Sequence, residues 1–351
     1  HEQPKVIEET LKSKINGNKA IIKEITLSQE ELENITKIHM VACGTSYHAA
    51  LVGKYIIEQE LRIPVEVEVA SEFRYKNPII SKTDLVILIS QSGETADTLA
   101  GLREAKKSGA KAIGIINVMG STISREADGT IYTNAGLEIG VASTKAFVSQ
   151  LIALYILTLY LGEKKGILGT EKRENIIKNL NKLPNIVEKI LEKENEIKEK
   201  SLIFDGAISS VFIGRNINVP IAYEGALKLK EISYIHAEGY QAGELKHGPI
   251  ALISEKCPLV AIATSGDTYD KVKSNIEEVK ARGGKILTIA TEGDTEISKI
   301  SEEVIYLPAV GELFSPVINV IPLQILSYYT AVNRGLDVDK PRNLAKSVTV
   351  E

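Results

Sequence analysis

The sequence predicts an α/β protein made of two copies of one parallel-sheet unit, each a three-layer α/β/α sandwich. Three observations carry this. Short apolar runs alternate with amphipathic stretches from residue 38 onward, the alternation gives way to a charged segment, and it then restarts. Matched turns in the two stretches keep an almost constant distance: Gly214 follows Gly44 by 170 residues, Gly266 follows Gly93 by 173 and Gly283 follows Gly109 by 174. At roughly 100–200 residues per domain, 351 residues leave room for two or three domains with buried cores.

Residues 1–36 read as a polar, helical lead-in, with Pro4 near a helix start and Ser28 as the cap of an acidic helix. Residues 37–165 form the first unit, with strands expected at 38–42, 65–69, 84–90, 112–117 and 130–133 and helices at 49–61, 95–107 and 145–161. Residues 166–200 turn rich in Lys and Glu, with apolar positions 176, 177, 180, 183, 187, 190 and 191 interrupted by Pro184, which predicts one bent connecting helix with a solvated charged face. Residues 201–340 repeat the α/β unit. Residues 341–351 would by default fray, but their apolar, β-branched character favours docking.

Composition narrows the partners. Forty-two Lys and Arg against 46 Asp and Glu give a net charge of −4, so no basic excess draws the chain to nucleic acid or an anionic membrane. There is no Trp and only 5% aromatic residues, hence no stacking platform for bases. Cys43 and Cys257 lack metal-ligand spacing, and the apolar runs break short of the roughly 20 residues that span a bilayer, so a cytoplasmic protein is expected. The first residue is His rather than Met, which suggests a piece or processed form of a longer chain.

Several short segments carry candidate chemistry. Ser90-Gln91-Ser92-Gly93-Glu94-Thr95 follows an apolar strand and opens a helix, and hydroxyls, helix-N-terminal amides and a glycine together suit a phosphate monoester. The same pattern also describes a plain Ser/Thr cap at a tight turn. Gly44-Thr45-Ser46 has the same strand-to-helix context, and Gly140-Val-Ala-Ser-Thr-Lys145 supplies further hydroxyls before an apolar helix. Glu224, Lys228 and Glu231 fall on one helical face, either as a surface ion pair or as a general base beside a cation. His247 lies between turn-forming residues, where an imidazole can shuttle protons or simply bond its own loop.

At these residues the chain resembles the isomerase part of the glutamine–fructose-6-phosphate aminotransferases, the glucosamine-6-phosphate synthases. The likeness rests on Ala42-Cys-Gly-Thr-Ser-Tyr47, Ala70-Ser-Glu-Phe-Arg-Tyr75, Ser90 to Leu99, Glu138 to Phe147, Glu224 to Glu238, Gly243 to Pro249 and Pro341 to Glu351, ordered from about residue 40 to the end. It implies two sugar isomerase (SIS) domains of flavodoxin-like type. It further implies that Ser90, Gln91, Ser92 and Thr95 hold a sugar phosphate, with Gly44, Thr45, Ser46, Ala142, Ser143 and Ala345 lining the site. The family's ring-opening histidine falls on His247, its proton-transferring glutamate on Glu231, its imine-forming lysine on Lys346 and a further site lysine on Lys228.

By the same resemblance the substrate is fructose 6-phosphate, the product glucosamine 6-phosphate, and the active protein a homodimer that shares its sites. No metal or cofactor is implied, because an imine is itself an electron sink. The family's glutaminase domain begins with a catalytic Cys, whereas no Cys precedes Cys43 here, so ammonia supplied from elsewhere is the expected nitrogen source. A fructosamine-phosphate deglycase and a non-catalytic sugar-phosphate sensor are the alternatives.

Overall fold

The computed structural model describes residues 1–347 and 349, so Val348, Val350 and Glu351 of the expected tail lie outside the described residues. The chain divides into two compact units: Glu2–Ile139 with Ser143–Pro184 and Ala345–Glu351, and Asn185–Leu344 with Gly140–Ala142 and His1.

The first unit opens with α1 (Gln3–Lys12), a two-residue-per-strand hairpin of β1 (Ile15–Asn16) and β2 (Lys19–Ala20), and α2 (Gln29–Glu33). Pro4 does lie in the first turn of α1, and Ser28 caps α2 in a reciprocal box with Glu31. The sheet follows: β3 (Lys37–Ala42), α3 (Gly44–Leu61), β4 (Val65–Val69), α4 (Ala70–Phe73), β5 (Asp84–Ser90), α5 (Ala96–Lys107), β6 (Lys111–Ile116), α6 (Thr122–Glu126), β7 (Gly129–Tyr132) and α7 (Lys145–Lys164).

Its strand order is β4-β3-β5-β6-β7, all parallel. In order of appearance this is 2-1-3-4-5, the flavodoxin-like arrangement. Successive side chains on β3 leave on opposite faces. A methyl group added to Gly53 of α3 would meet Met40 and Leu154, and one added to Gly101 of α5 would meet Val41 and Leu88, so the two helices cover opposite sides of the sheet. All seven residues of β5 are buried, as a strand covered on both faces requires.

Helix α7 is 20 residues long and apolar enough to span a bilayer, unlike the shorter runs expected from the sequence. It is nevertheless 94% buried over its most apolar window, the pattern of a core helix.

The segment expected as one bent helix is three: α8 (Thr170–Leu180), α9 (Leu183–Leu191) and α10 (Glu194–Lys200). The chain turns at Asn181-Lys182 and again at Glu192-Lys193, and Pro184 stands in the first turn of α9, where its missing N–H costs nothing, rather than kinking a helix interior.

The second unit continues with β8 (Ser209–Gly214), α11 (Val219–Ser233), β9 (His236–Gln241), β10 (Leu259–Ala263), α12 (Tyr269–Lys280), β11 (Ile286–Thr291), β12 (Glu303–Leu307) and α13 (Ser315–Asn333). Its order, β12-β11-β10-β8-β9, is the same 2-1-3-4-5 arrangement, again parallel throughout. The second copy is less regular after its first strand, where a 3₁₀ turn, Asn216–Asn218, delays the start of α11.

Ile87, fully buried at the centre of β5 between Met40 and Ile113, tests the first core. Ile87→Ala is expected to cost about 2–5 kcal/mol, read as a lowered urea midpoint with an unchanged slope.

Candidate functional site

Ser90 ends β5, and its hydroxyl shares a hydrogen bond of 3.0 Å with Thr95 Oγ1 while accepting the Gly93 N–H at 3.0 Å. Thr95 is the N-cap of α5 but its side chain makes no capping bond, so its hydroxyl points to Ser90 instead of to the helix it starts. Ser92 Oγ accepts the Glu94 N–H at 3.2 Å, and the Gln91 carbonyl accepts from Asn117. Gly93 has φ +67°, and an added Cβ would stand 2.1 Å from Ser121 Oγ, so both its backbone and its neighbour require glycine. Hydroxyls are thereby gathered at a helix N-terminus whose first amides have no intrahelical acceptor.

Gly44 opens α3 with φ +53°, and Ser46 on its first turn accepts a 2.9 Å bond from Gln150 of α7. Gln150 is 2% exposed and was not a sequence candidate; only packing of α3 on α7 reveals it. Burial, and then the nearby Asp97, push the Cys43 thiol up, which keeps it protonated and fits a packing role.

The tail lysine is anchored in this same unit. Lys346 Nζ lies 2.5 Å from Glu138 Oε2, and Glu138 is 7% exposed. The other carboxylate oxygen accepts the Thr144 N–H at 2.9 Å and the Ala146 N–H at 3.1 Å, on either side of the start of α7 and just beyond Ser143. Burial raises the pKa of Glu138, but the Lys346 ammonium and the two amide donors outweigh it and hold the carboxyl below its ordinary value. Glu138 lies at the head of the Glu138 to Phe147 segment, and its signal in the sequence is a lone acid before a hydroxyl-rich helix start. Ala345 is exposed beside Lys346, while Ala142 belongs to the other compact unit, where the Val141 N–H donates to the Asp339 carbonyl.

In the second unit, Glu224, Lys228 and Glu231 do share one face of α11, but as a surface pair they are corrected. Glu224 is 0% and Lys228 1% exposed. Lys228 Nζ sits 3.3 Å from Glu224 and 2.6 Å from Glu231, whose side chain alone reaches the surface, at 21%. Burial favours the neutral amine, yet the two carboxylates overcome it and raise the Lys228 pKa. His247 ends a 3₁₀ segment, Ala242–His247, and is exposed, and its imidazole has no hydrogen-bond or ion-pair partner among the described residues.

The copy of the Ser-Gly turn in this unit is occupied by protein. Glu312 accepts the Asp267 N–H at 3.1 Å, and a Cβ on Gly266 would meet its carboxylate at 2.8 Å. An internal carboxylate therefore stands where the first copy offers hydroxyls.

One group among the described residues has metal-ligand proximity: His39, Glu66 and Glu68, with donor atoms within 4.8 Å of one another. Lys37 lies 2.9 Å from Glu66, Lys76 pairs with Glu68, and His39 Nε2 is 3.2 Å from Asp84, so ammonium groups already neutralise both glutamates.

The SIS domain model matches residues 31–160 and 206–334. The glutamine–fructose-6-phosphate aminotransferases [isomerizing] of Clostridium tetani and Thermus thermophilus are 55% and 50% identical over the whole chain, which spans 58% of their length. The structure of the C-terminal domain of glucosamine-fructose-6-phosphate aminotransferase from Francisella tularensis is 41% identical, covering 97% of this chain and 96% of that one at a TM-score of 0.92. A glucosamine-6-phosphate deaminase from Thermotoga maritima is 25% identical, covering 98% and 99% at a TM-score of 0.74.

Two flavodoxin-like sheets, each matched by the same model, define a tandem SIS-domain protein. The chain belongs to that family, and within it corresponds to the isomerase part of the glutamine–fructose-6-phosphate aminotransferases.

Two variants test the charges. Lys228→Met strands a buried carboxylate at Glu224 and should cost about 3–5 kcal/mol in urea unfolding, with partial recovery when Glu224→Gln is added. For Glu138 the sign follows from its lowered pKa. The stabilisation is complete above the unfolded carboxylate range and is lost as pH falls through the depressed folded value. The stability difference between the chain and Lys346→Met should therefore stay constant between about pH 6 and 8 and shrink on acidification.

Proposed function

We propose that the chain binds fructose 6-phosphate, opens its ring, forms an imine at C2 and isomerises it to glucosamine 6-phosphate when ammonia is present. Ser90, Gln91, Ser92 and Thr95 bind the phosphate, with Gly44, Thr45, Ser46, Ala142, Ser143 and Ala345 along the sugar. Supporting this is the hydroxyl cluster at the start of α5, with the Thr95 side chain turned toward Ser90.

His247 protonates the ring oxygen and takes the anomeric proton. Lys346 adds as a neutral amine to C2, water leaves, and ammonia displaces the lysine from the imine. Glu231 takes a proton from C1 and returns it to C2, leaving an aldehyde at C1 and an amine at C2. Lys228, beside Glu231, steadies the charge that develops. One observation carries the assignment: the 2.6 Å contact between Glu231 and a buried ammonium, with Glu231 the one member of the trio that reaches the surface.

The relatives are named for glutamine as donor, and they extend beyond the matched part. In this proposal ammonia comes from glutamine hydrolysed outside the 351 residues, and the active assembly is a homodimer in which His247 serves the partner's site. A second reading, amine release from an amino-sugar phosphate, is favoured by the deaminase likeness alone.

NMR of ¹³C-labelled fructose 6-phosphate separates these. Glucose 6-phosphate from the chain alone, and glucosamine 6-phosphate once ammonium is added, are expected. Retained binding with no product in either tube points to a sensor. Glu231→Gln should lower turnover by about 10²-fold or more with sugar-phosphate affinity kept. Continued solvent exchange at C1 in that variant would remove Glu231 as the base.

A further inference from the structure

The geometry points to Glu138 as the positioning residue of Lys346, and as the group that takes the lysine's proton when the amine attacks. This rests on the imine role proposed above. The two oxygens of Glu138 do separate work. Oε1 accepts the Thr144 and Ala146 N–H groups and so pins the turn that carries Ser143 to the start of α7. Oε2 lies 2.5 Å from Lys346 Nζ and seats the tail. A single carboxylate thereby ties the hydroxyl-bearing turn to the nucleophile.

Protons balance around this pair. A lysine ammonium has no lone pair, so one proton must leave before a bond to carbon can form. Glu138 accepts it as the neutral amine adds to the C2 carbonyl, giving a carbinolamine after proton transfer from nitrogen to oxygen. The same proton then protonates the C2 hydroxyl, which departs as water, leaving the lysine imine as a cation and Glu138 again as a carboxylate. The environment supports both directions. Burial raises the Glu138 pKa, and the largest influence opposing it is the Lys346 ammonium itself. When that charge is lost, burial remains, and the carboxyl is a better proton holder at the moment it has to be.

Glu138→Gln separates the two oxygens. The glutamine carbonyl still accepts from Thr144 and Ala146, while its amide cannot take a proton from Lys346. Adduct formation between the chain and fructose 6-phosphate, trapped by borohydride and read by mass spectrometry across pH, is the measurement. Trapping in Glu138→Gln should fall about 10²-fold at neutral pH and rise steeply with pH as hydroxide takes over. Sugar-phosphate affinity should stay within about threefold, and Glu138→Asp should recover part of the rate.

An unchanged rate and pH profile in Glu138→Gln overturns the inference. So does equal loss of affinity and trapping with no change of profile, which marks a structural role only. No adduct in the unaltered chain overturns the imine role, and the inference with it, whereas an adduct there with unaltered kinetics in the variant overturns Glu138 alone.

Discussion

A strand buried on both faces of a parallel sheet leaves the chain one way back, a crossover through a covering helix. Both sheets here keep the same parallel 2-1-3-4-5 order, the second with short 3₁₀ segments in place of an α-helix between β9 and β10 and between β11 and β12. Each strand-to-helix turn then emerges at the carboxyl edge with helix amides free of intrahelical partners. The hydroxyls of Ser90 and Thr95, the Gly44 turn and the start of α7 are all at such turns. The chemistry follows from where the topology lets backbone donors face outward.

The two copies use this edge differently. In the first, Ser90 and Thr95 hydroxyls hold one another at the turn; in the second, the Glu312 carboxylate accepts from Asp267 and crowds Gly266. An anion-binding turn supplied with an anion by its own chain satisfies its donors internally. Repetition of the fold thus does not repeat the candidate site.

Buried charge is the second theme. Lys228 is 1% exposed, and its desolvation is offset by Glu224 and Glu231. Such an arrangement contributes little net stability against an apolar alternative, but it orients Glu231 beside a fixed positive charge. Glu138 follows the same rule with opposite sign, a buried carboxylate matched by Lys346 and two amides.

Much was legible in the sequence because its signals are local. Apolar runs located strands such as 84–90, the repeat spacing exposed two units, and the Ser-Gly turn identified the start of α5. Helical periodicity placed Glu224, Lys228 and Glu231 on one face. Periodicity states which residues share a face and not what covers it, so their burial came only from packing under neighbouring elements. The breaks on either side of α9 were missed because Pro184 fits a first turn as well as a kink. Glu138 and Lys346 are separated by 208 positions, and no local pattern reports such a contact. Sequence determined the sheet strands and long helices of the first unit, the repeat and the chemically active residue types. Tertiary structure decided which of those charges lie out of water and which partner each one meets, since desolvation and ion pairing depend on distances in space.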